Sequence, residues 1–195
     1  MSPRPQKVTD DGVFMAAQRA MSRLGPGELT LAEIAAEAGV TAGLLVQRFG
    51  SKRELLLALS ERFSGGTAEM FAQLRAAHPS PVATLRAYSD AMANLASSPA
   101  ALARNLAYLY VDLTDPEFRQ HLSKQAVASR KELQKLIREA IDAGELAPGT
   151  RPAELARTIE AIVTGSMMSW AFYQKGPAVK WMRRDLDAIL TPYLI

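Results

Sequence analysis

The stretch AGVTAGLLVQRFGSKRELLLAL, Ala38–Leu59, contains the clearest signals in this chain for where helices begin and end. Gly39 stands where a helix ends in the left-handed conformation, and Thr41 stands where the next helix needs a cap. Gly50 then ends a short helix over residues 42–49, and a longer helix follows at once. The stretch therefore predicts a helix, a tight turn, a short helix, a second turn and a long helix in close succession.

The rest of the chain keeps helical spacing, and no segment alternates as a half-buried strand does. Thr30 and Glu33 form a capping box that opens the helix before Gly39. Segments rich in proline and glycine separate longer helices downstream. We expect an all-α fold of roughly nine helices, with an N-terminal three-helix helix-turn-helix domain (residues 1–51) followed by a larger C-terminal helical bundle (residues 52–195).

Composition narrows the functional classes. The 195 residues are 48% hydrophobic and include no cysteine, which allows a sizeable core and excludes disulfides and thiol chemistry. The net charge of +3 is a weak indication of an anionic partner, and ordinary surface charge explains it equally well. No secretory signal opens the sequence, and no apolar stretch reaches the ~20 residues needed to cross a bilayer. We expect a soluble, cytoplasmic protein without a membrane partner.

The short helix has one apolar side and one side with no evident packing role. Leu45 and Phe49, four residues apart, dock it on its neighbours. The opposite side is then free to enter a DNA major groove, which is about 12 Å wide. That side comprises Ala42, Gly43, Leu44, Val46, Gln47 and Arg48.

These residue types suit the edges of bases and the phosphates. Small residues at the helix start permit close approach to DNA, Gln47 is suited to adenine, and the two aliphatic side chains can touch thymine methyl groups. Arg48 is suited either to guanine or to a phosphate. Thr30 and Lys52, each at a helix start, can hold phosphates.

The segment LTLAEIAAEAGVTAGLLVQRFGSKRELLLAL, Leu29–Leu59, resembles the DNA-binding signature of the TetR family of transcriptional repressors. The remainder resembles that family only in its layout of six further helices, two of them C-terminal. The DNA-binding residues expected from the pattern and the resemblance together are Thr30, Thr41, Ala42, Gly43, Leu44, Val46, Gln47, Arg48 and Lys52.

Two positions depart from the family pattern. An aromatic residue, commonly tyrosine, is expected where Val46 stands, and histidine or tyrosine is common where Arg48 stands. The chain therefore lacks the aromatic side chain that contacts a phosphate in the family. We expect Arg48 to replace it and the operator sequence to differ accordingly.

The resemblance implies a homodimer that binds a palindromic double-stranded DNA operator and is released by a small-molecule effector. Bulky apolar and polar side chains in the larger domain are candidates for the effector cavity, and core packing is the competing explanation for each. The candidates are Phe71, Tyr88, Met92, Arg104, Asn105, Tyr108, Phe118, Met167 and Trp170.

The last two helices carry apolar stripes that the family uses in a four-helix dimer interface. Burial within a single subunit is the competing explanation. The expected interface residues are Ile159, Ile162, Val163, Met182, Ile189 and Tyr193.

No catalytic constellation is evident, so we expect neither an enzyme nor a cofactor or metal site. His78 and His121 are the only histidines, and each is explained as a surface residue. The alternative to a repressor is a helical small-molecule binding protein whose N-terminal helices have no DNA role. An effect of substitutions at Gln47 and Arg48 on a specific DNA complex separates the two hypotheses.

Overall fold

The computed structural model describes residues 8–95 and 98–195 of the chain. Those residues form ten α-helices and one 3-10 helix, and their only extended pairing is an isolated bridge between Leu146 and Leu194. The all-α fold expected from the sequence is confirmed. The elements are α1 (Asp10–Arg23), α2 (Leu31–Ala38), α3 (Ala42–Phe49), α4 (Lys52–Gly65), α5 (Thr67–Ala77), α6 (Pro81–Asn94), α7 (Pro99–Thr114), α8 (Pro116–Asp142), α9 (Pro152–Tyr173), α10 (Ala178–Leu190) and η1 (Thr191–Tyr193).

The chain packs as two units, each assembled from two separate stretches of sequence. The first unit comprises the described part of Met1–Arg62 together with Ala103–His121. The second comprises the described part of Phe63–Leu102 together with Leu122–Ile195. The division by packing thus differs from the single boundary at residue 51 expected from the sequence, because α4 and the α7–α8 turn contribute to the first unit.

The first unit is built on α1, α2 and α3, with α4 packed against them. Thr9 caps α1 by accepting a hydrogen bond from Gly12 N at 3.1 Å, as its position before two acidic residues indicates. Small residues on α1, among them Ala17 and Ala20, are fully buried and let α2 approach closely. The core of this unit consists of Val13, Ala17, Ala20, Leu29, Ile34, Ala35, Leu45, Leu55, Leu59 and Tyr108.

Helix α7 caps the C-terminal end of α1. The last carbonyls of a helix lack partners within the helix. Arg104 Nε donates to Ser22 O at 2.9 Å, and Tyr108 Oη donates to Leu24 O at 2.9 Å. Burial raises the pKa of Tyr108 to about 12, with the charge of Glu28 adding to the effect.

The first turn of α4 is tied to the α7–α8 turn by a bidentate ion pair. The guanidinium of Arg53 donates to Asp115 through Nε at 3.0 Å and through Nη2 at 2.9 Å. The same Nη2 lies 2.5 Å from a carboxylate oxygen of Glu117. The hydrogen bond from Arg53 lowers the pKa of Asp115, so this carboxylate stays charged into mildly acidic solution.

The second unit is arranged around α6, which is capped by Ser80 and begins with proline at its first position. Phe71 of α5 stacks on Tyr88 of α6 with ring centroids 5.1 Å apart. Its core combines residues of all its helices: Phe71, Val82, Leu85, Tyr88, Leu102, Leu133, Leu136, Ile137, Leu146, Leu155, Ile159, Val163, Trp170, Met182, Leu186 and Leu190.

Two reciprocal ion pairs fasten α6 to α10. Arg86 of α6 binds Asp187 of α10 at 2.7 Å, and Arg183 of α10 binds Asp90 of α6. Each helix thus contributes one cation and one anion, four residues apart, which fixes the register of the pair. None of the described helices has the length and apolar character needed to cross a bilayer.

Candidate nucleic-acid interface

The turn between α2 and α3 sets the direction in which α3 leaves the core. Gly39 adopts φ of 68° and ψ of 31°, the left-handed conformation, and its N–H bonds to carbonyls at the end of α2. Thr41 then caps α3, because its hydroxyl accepts a hydrogen bond from Leu44 N at 3.2 Å. These two residues make the tight turn that the sequence predicted.

Helix α3 is docked on the first unit by one side only. Leu45 is fully buried, and Phe49 is half-buried with its ring centroid 5.8 Å from that of Phe14. The docking side predicted from the sequence is therefore the side that packs. Eight residues with two apolar anchors leave most of this helix at the surface.

The opposite side of α3 is exposed. Leu44 and Val46 expose 40% and 50% of their surface, although both are apolar. Gln47 is exposed and has no hydrogen bond or ion pair with any described residue. The exposed residues of this surface are Thr41, Gly43, Leu44, Val46, Gln47 and Arg48, with Ala42 half-buried beside them.

No internal contact requires a glycine at position 43. A Cβ built there would meet only the hydroxyl oxygen of Thr41, at 4.0 Å. Because glycine costs helix stability relative to alanine, its presence is unexplained by the packing of the protein itself. An external surface that approaches the backbone closely would explain it.

Arg48 is engaged by the first turn of α1. Its Nε lies 2.5 Å from Oδ1 of Asp10, and its Nη1 donates to Val8 O at 2.7 Å. The guanidinium carbon also lies 5.7 Å from the ring centroid of Phe49. No pattern in the sequence indicates this ion pair, since Asp10 and Arg48 lie in different helices and an acid at a helix start is explained by the helix dipole.

Lys52 is also occupied within the first unit. Its Nζ donates to Leu29 O at 2.7 Å and to Pro26 O at 3.1 Å, in a part-buried position. Leu29 directly precedes Thr30, whose hydroxyl caps α2 by accepting from Glu33 N at 3.1 Å. Lys52 therefore holds the loop that presents Thr30, in addition to any phosphate contact its third N–H can make.

The family follows from two sequence matches. The model for bacterial regulatory proteins of the tetR family matches residues 14–59, which contain α2 and α3. The model for the C-terminal domain of tetracyclin repressor-like proteins matches residues 82–186, more than half of the chain. The chain belongs to the TetR family. It is a transcriptional regulator with the fold of that family.

Solved structures of this family superpose over nearly the whole chain. A TetR transcription regulator from Haloarcula marismortui is 17% identical, with a TM-score of 0.76 over 95% of this chain and 98% of that chain. SmeT of Stenotrophomonas maltophilia, the repressor of the multidrug efflux pump SmeDEF, is 25% identical, with a TM-score of 0.67 over 97% and 92%. FadR from Bacillus subtilis, solved in complex with stearoyl-CoA, is 19% identical, with a TM-score of 0.69 over 94% and 98%. No curated protein matches this sequence.

The nine candidate effector residues fall into both packing units. Phe71, Tyr88 and Trp170 are buried in the core of the second unit, and Met92 and Met167 are partly buried against it. Four others lie in the first unit, where Arg104 and Tyr108 cap α1 and Phe118 packs beside Arg53. These four are Arg104, Asn105, Tyr108 and Phe118.

The candidate dimer residues divide by burial. Ile159 and Met182 expose at most 1% of their surface and Val163 exposes 6%, so all three pack within the core of their own subunit. These side chains have almost no surface to offer a second copy. The half-buried members of the set are Ile162, Ile189 and Tyr193.

The described residues contain no group of three or more histidine, cysteine, aspartate or glutamate side chains that could hold a metal ion. His78 Nδ1 lies 2.8 Å from Leu74 O, one helical turn earlier. His121 is half-buried, with an Nδ1 atom that is buried and has no partner among the described residues. Neither histidine lies at the exposed side of α3.

Replacement of Lys52 by methionine should destabilise the protein by about 1–2 kcal/mol, because two loop carbonyls lose a charged hydrogen-bond donor. Urea denaturation measures the change in the free energy of unfolding. Lys135→Met, at an exposed lysine of α8, removes the same charge without such contacts and should have little effect. Equal stability of the two variants would show that the ammonium of Lys52 does not hold the loop.

Proposed function

We propose that this TetR-family regulator binds a palindromic double-stranded DNA operator as a homodimer and that a small-molecule effector releases it. In the proposed complex, α3 of each subunit lies in the major groove of one half-site. The two half-sites are then separated by one helical turn of DNA or a multiple of it. Repression of the adjacent genes follows where the operator overlaps a promoter.

The observation that carries this proposal is the exposed side of α3. A helix that only fills a core does not leave two aliphatic side chains, a glutamine without partners and an unexplained glycine at the surface. Gln47 can form two hydrogen bonds to adenine, and Leu44 and Val46 can contact thymine methyl groups. Helix starts capped by Thr30 and Thr41 offer backbone N–H groups to phosphates.

The surface of α9 supports the homodimer. Its exposed side carries Thr158, Ala161, Gly165 and Phe172 at helical spacing, opposite the buried side that includes Ile159. A Cβ at Gly165 would meet nothing within 4 Å, so the absence of a side chain there serves no contact inside the subunit. Small residues on an exposed helix face allow a second helix to approach closely, and a twofold axis pairs such a face with itself.

The apolar cluster of the second unit supports an effector of largely apolar character. Five candidate residues, including the stacked pair Phe71 and Tyr88, contribute to one cluster. Burial raises the pKa of Tyr88 to about 12, with a smaller contribution from Glu160. Its protonated hydroxyl can donate a hydrogen bond to a bound molecule. Effector release requires a higher affinity for the arrangement of the protein that does not bind DNA.

Gln47→Ala should weaken specific operator binding while leaving the fold intact. Selection of wild-type protein on a random duplex library gives the operator, and fluorescence anisotropy then measures affinity for it. Loss of a bidentate contact to adenine costs about 1–3 kcal/mol, which corresponds to a fold-change of about 5 to 150. Gln125→Ala, at an exposed position of α8, is the matched control and should bind as the wild type does.

The same selection also tests the alternative function. A helical small-molecule binding protein without a DNA role would enrich no sequence, and the Gln47 and Gln125 variants would behave alike. Enrichment of a non-palindromic motif would retain DNA binding but contradict the proposed symmetric dimer.

Gly165→Glu should convert the dimer into a monomer that keeps its helical fold, because the protomer has open space at this position. A carboxylate brought opposite its own copy across a twofold axis is repelled and desolvated. Sedimentation equilibrium measures the mass. Gly149→Glu also meets nothing within 4 Å and should stay dimeric. A dimeric Gly165 variant would place the interface elsewhere.

An apolar effector should weaken the operator complex. Stearoyl-CoA is the first probe, since the FadR structure contains it, and free coenzyme A tests whether the apolar chain is required. We expect stearoyl-CoA to raise the Kd about 5-fold or more and coenzyme A to leave it unchanged. Stearate and a planar aromatic dye extend the panel, and the apolar-effector proposal fails if no probe changes the Kd.

A further inference from the structure

We propose that Asp10 is an internal competitor of the operator phosphates for Arg48. In the DNA-free protein the carboxylate of Asp10 binds the guanidinium of Arg48. A DNA phosphate has to displace this carboxylate when the complex forms. Asp10 therefore lowers the affinity for all DNA sequences. This inference rests on the proposed DNA-binding function.

The contacts of Arg48 define the competition. Its Nε bonds to the Asp10 carboxylate at 2.5 Å, and its Nη1 bonds to Val8 O at 2.7 Å. Three of the five N–H groups of a guanidinium remain after those two bonds. Val8 can keep its bond while the carboxylate is exchanged for another oxyanion.

The position of the pair at the surface makes the exchange feasible. The side chains of Arg48 and Asp10 are 32% and 57% exposed, so water and a phosphate can reach both. Phosphate and carboxylate present similar oxygen geometry to a guanidinium. Displacement of Asp10 thus breaks one exposed ion pair and forms another, and it opens no buried contact.

This arrangement also identifies the side chain that reads bases on α3. Arg48 and Gln47 are the two side chains on this helix that can donate hydrogen bonds to base edges. Arg48 is turned toward α1 by its bonds to Asp10 and Val8, and its charge is then suited to the backbone rather than to guanine. Base discrimination through hydrogen bonds falls to Gln47.

The chain supplies a matched control for Asp10. Asp11 is the next residue in the same first turn of α1, and it pairs with Arg62 of α4 at 3.1 Å. Both aspartates carry the same charge, and both stabilise the start of α1 through the helix dipole. Thr9 supplies the cap, so neither substitution removes it. Only Asp10 contacts α3, so the two substitutions separate direct competition from a general change of charge.

The test compares Asp10→Asn and Asp11→Asn on the selected operator over about 50 to 200 mM salt, by fluorescence anisotropy. Asp10→Asn should bind about 3- to 10-fold more tightly at the low-salt end than Asp11→Asn. The plot of log K against log salt should have the same slope for the two variants, because Arg48 contacts a phosphate in the complex of each. Equal affinities of the two variants would overturn the inference.

The Arg48→Gln background provides a second arm. Without the guanidinium, Asp10→Asn and Asp11→Asn should have the same effect, because no cation remains for which Asp10 competes. A persistent advantage of Asp10→Asn in that background would overturn the inference, as would weaker binding by Asp10→Asn in the wild-type background.

A measurement without DNA separates this inference from the proposed function. The Nε–H resonance of Arg48 should be protected from exchange in the free wild-type protein and in Asp11→Asn, and unprotected in Asp10→Asn. Absence of any specific complex with wild-type protein would overturn the proposed function, whatever the resonance shows. A specific complex with an unprotected Arg48 resonance in the free wild type would overturn the inference alone.

Discussion

The docking of α3 by Leu45 and Phe49 is the constraint on which the candidate interface depends. Two apolar anchors on a helix of eight residues fix its rotation about its own axis. Because the anchors lie four residues apart, the remaining positions are turned outward together. Thr41 caps the start of the helix and Gly50 ends it, so the helix is too short to bury more surface. These two anchors hold α3 on the core and leave its other side at the surface.

Short-range physics explains why the sequence predicted this region well. The helix caps, the left-handed Gly39 and the apolar spacing in α1 to α3 each depend on residues within about four positions of each other. Such short-range features can be recognised directly from the sequence. The family resemblance added the expected DNA-contact roles, which stay predictions. Gly39 and Thr41 adopt the conformations their types favour, and Leu45 is buried as the helical period requires.

Long-range polar contacts account for what the sequence missed. Lys52 donates to carbonyls 23 and 26 residues away, and Arg48 binds an acid at the start of α1. No local pattern specifies such partners, since many carbonyls and acids are equally available before the chain folds. The same limitation affected the larger domain, where helical stripes do not distinguish core residues such as Ile159 from residues at a subunit interface.

The first unit is discontinuous in sequence, and this bears on the exchange of parts between related proteins. Its core includes Tyr108, and its α4 is anchored by Asp115, although both residues follow some forty residues that belong to the other unit. A chimaera made by joining residues 8–62 to a foreign effector domain would lose both contacts unless the foreign α7–α8 turn replaced them. Residues 8–62 therefore cannot be transferred to another protein with all the contacts that hold the first unit together.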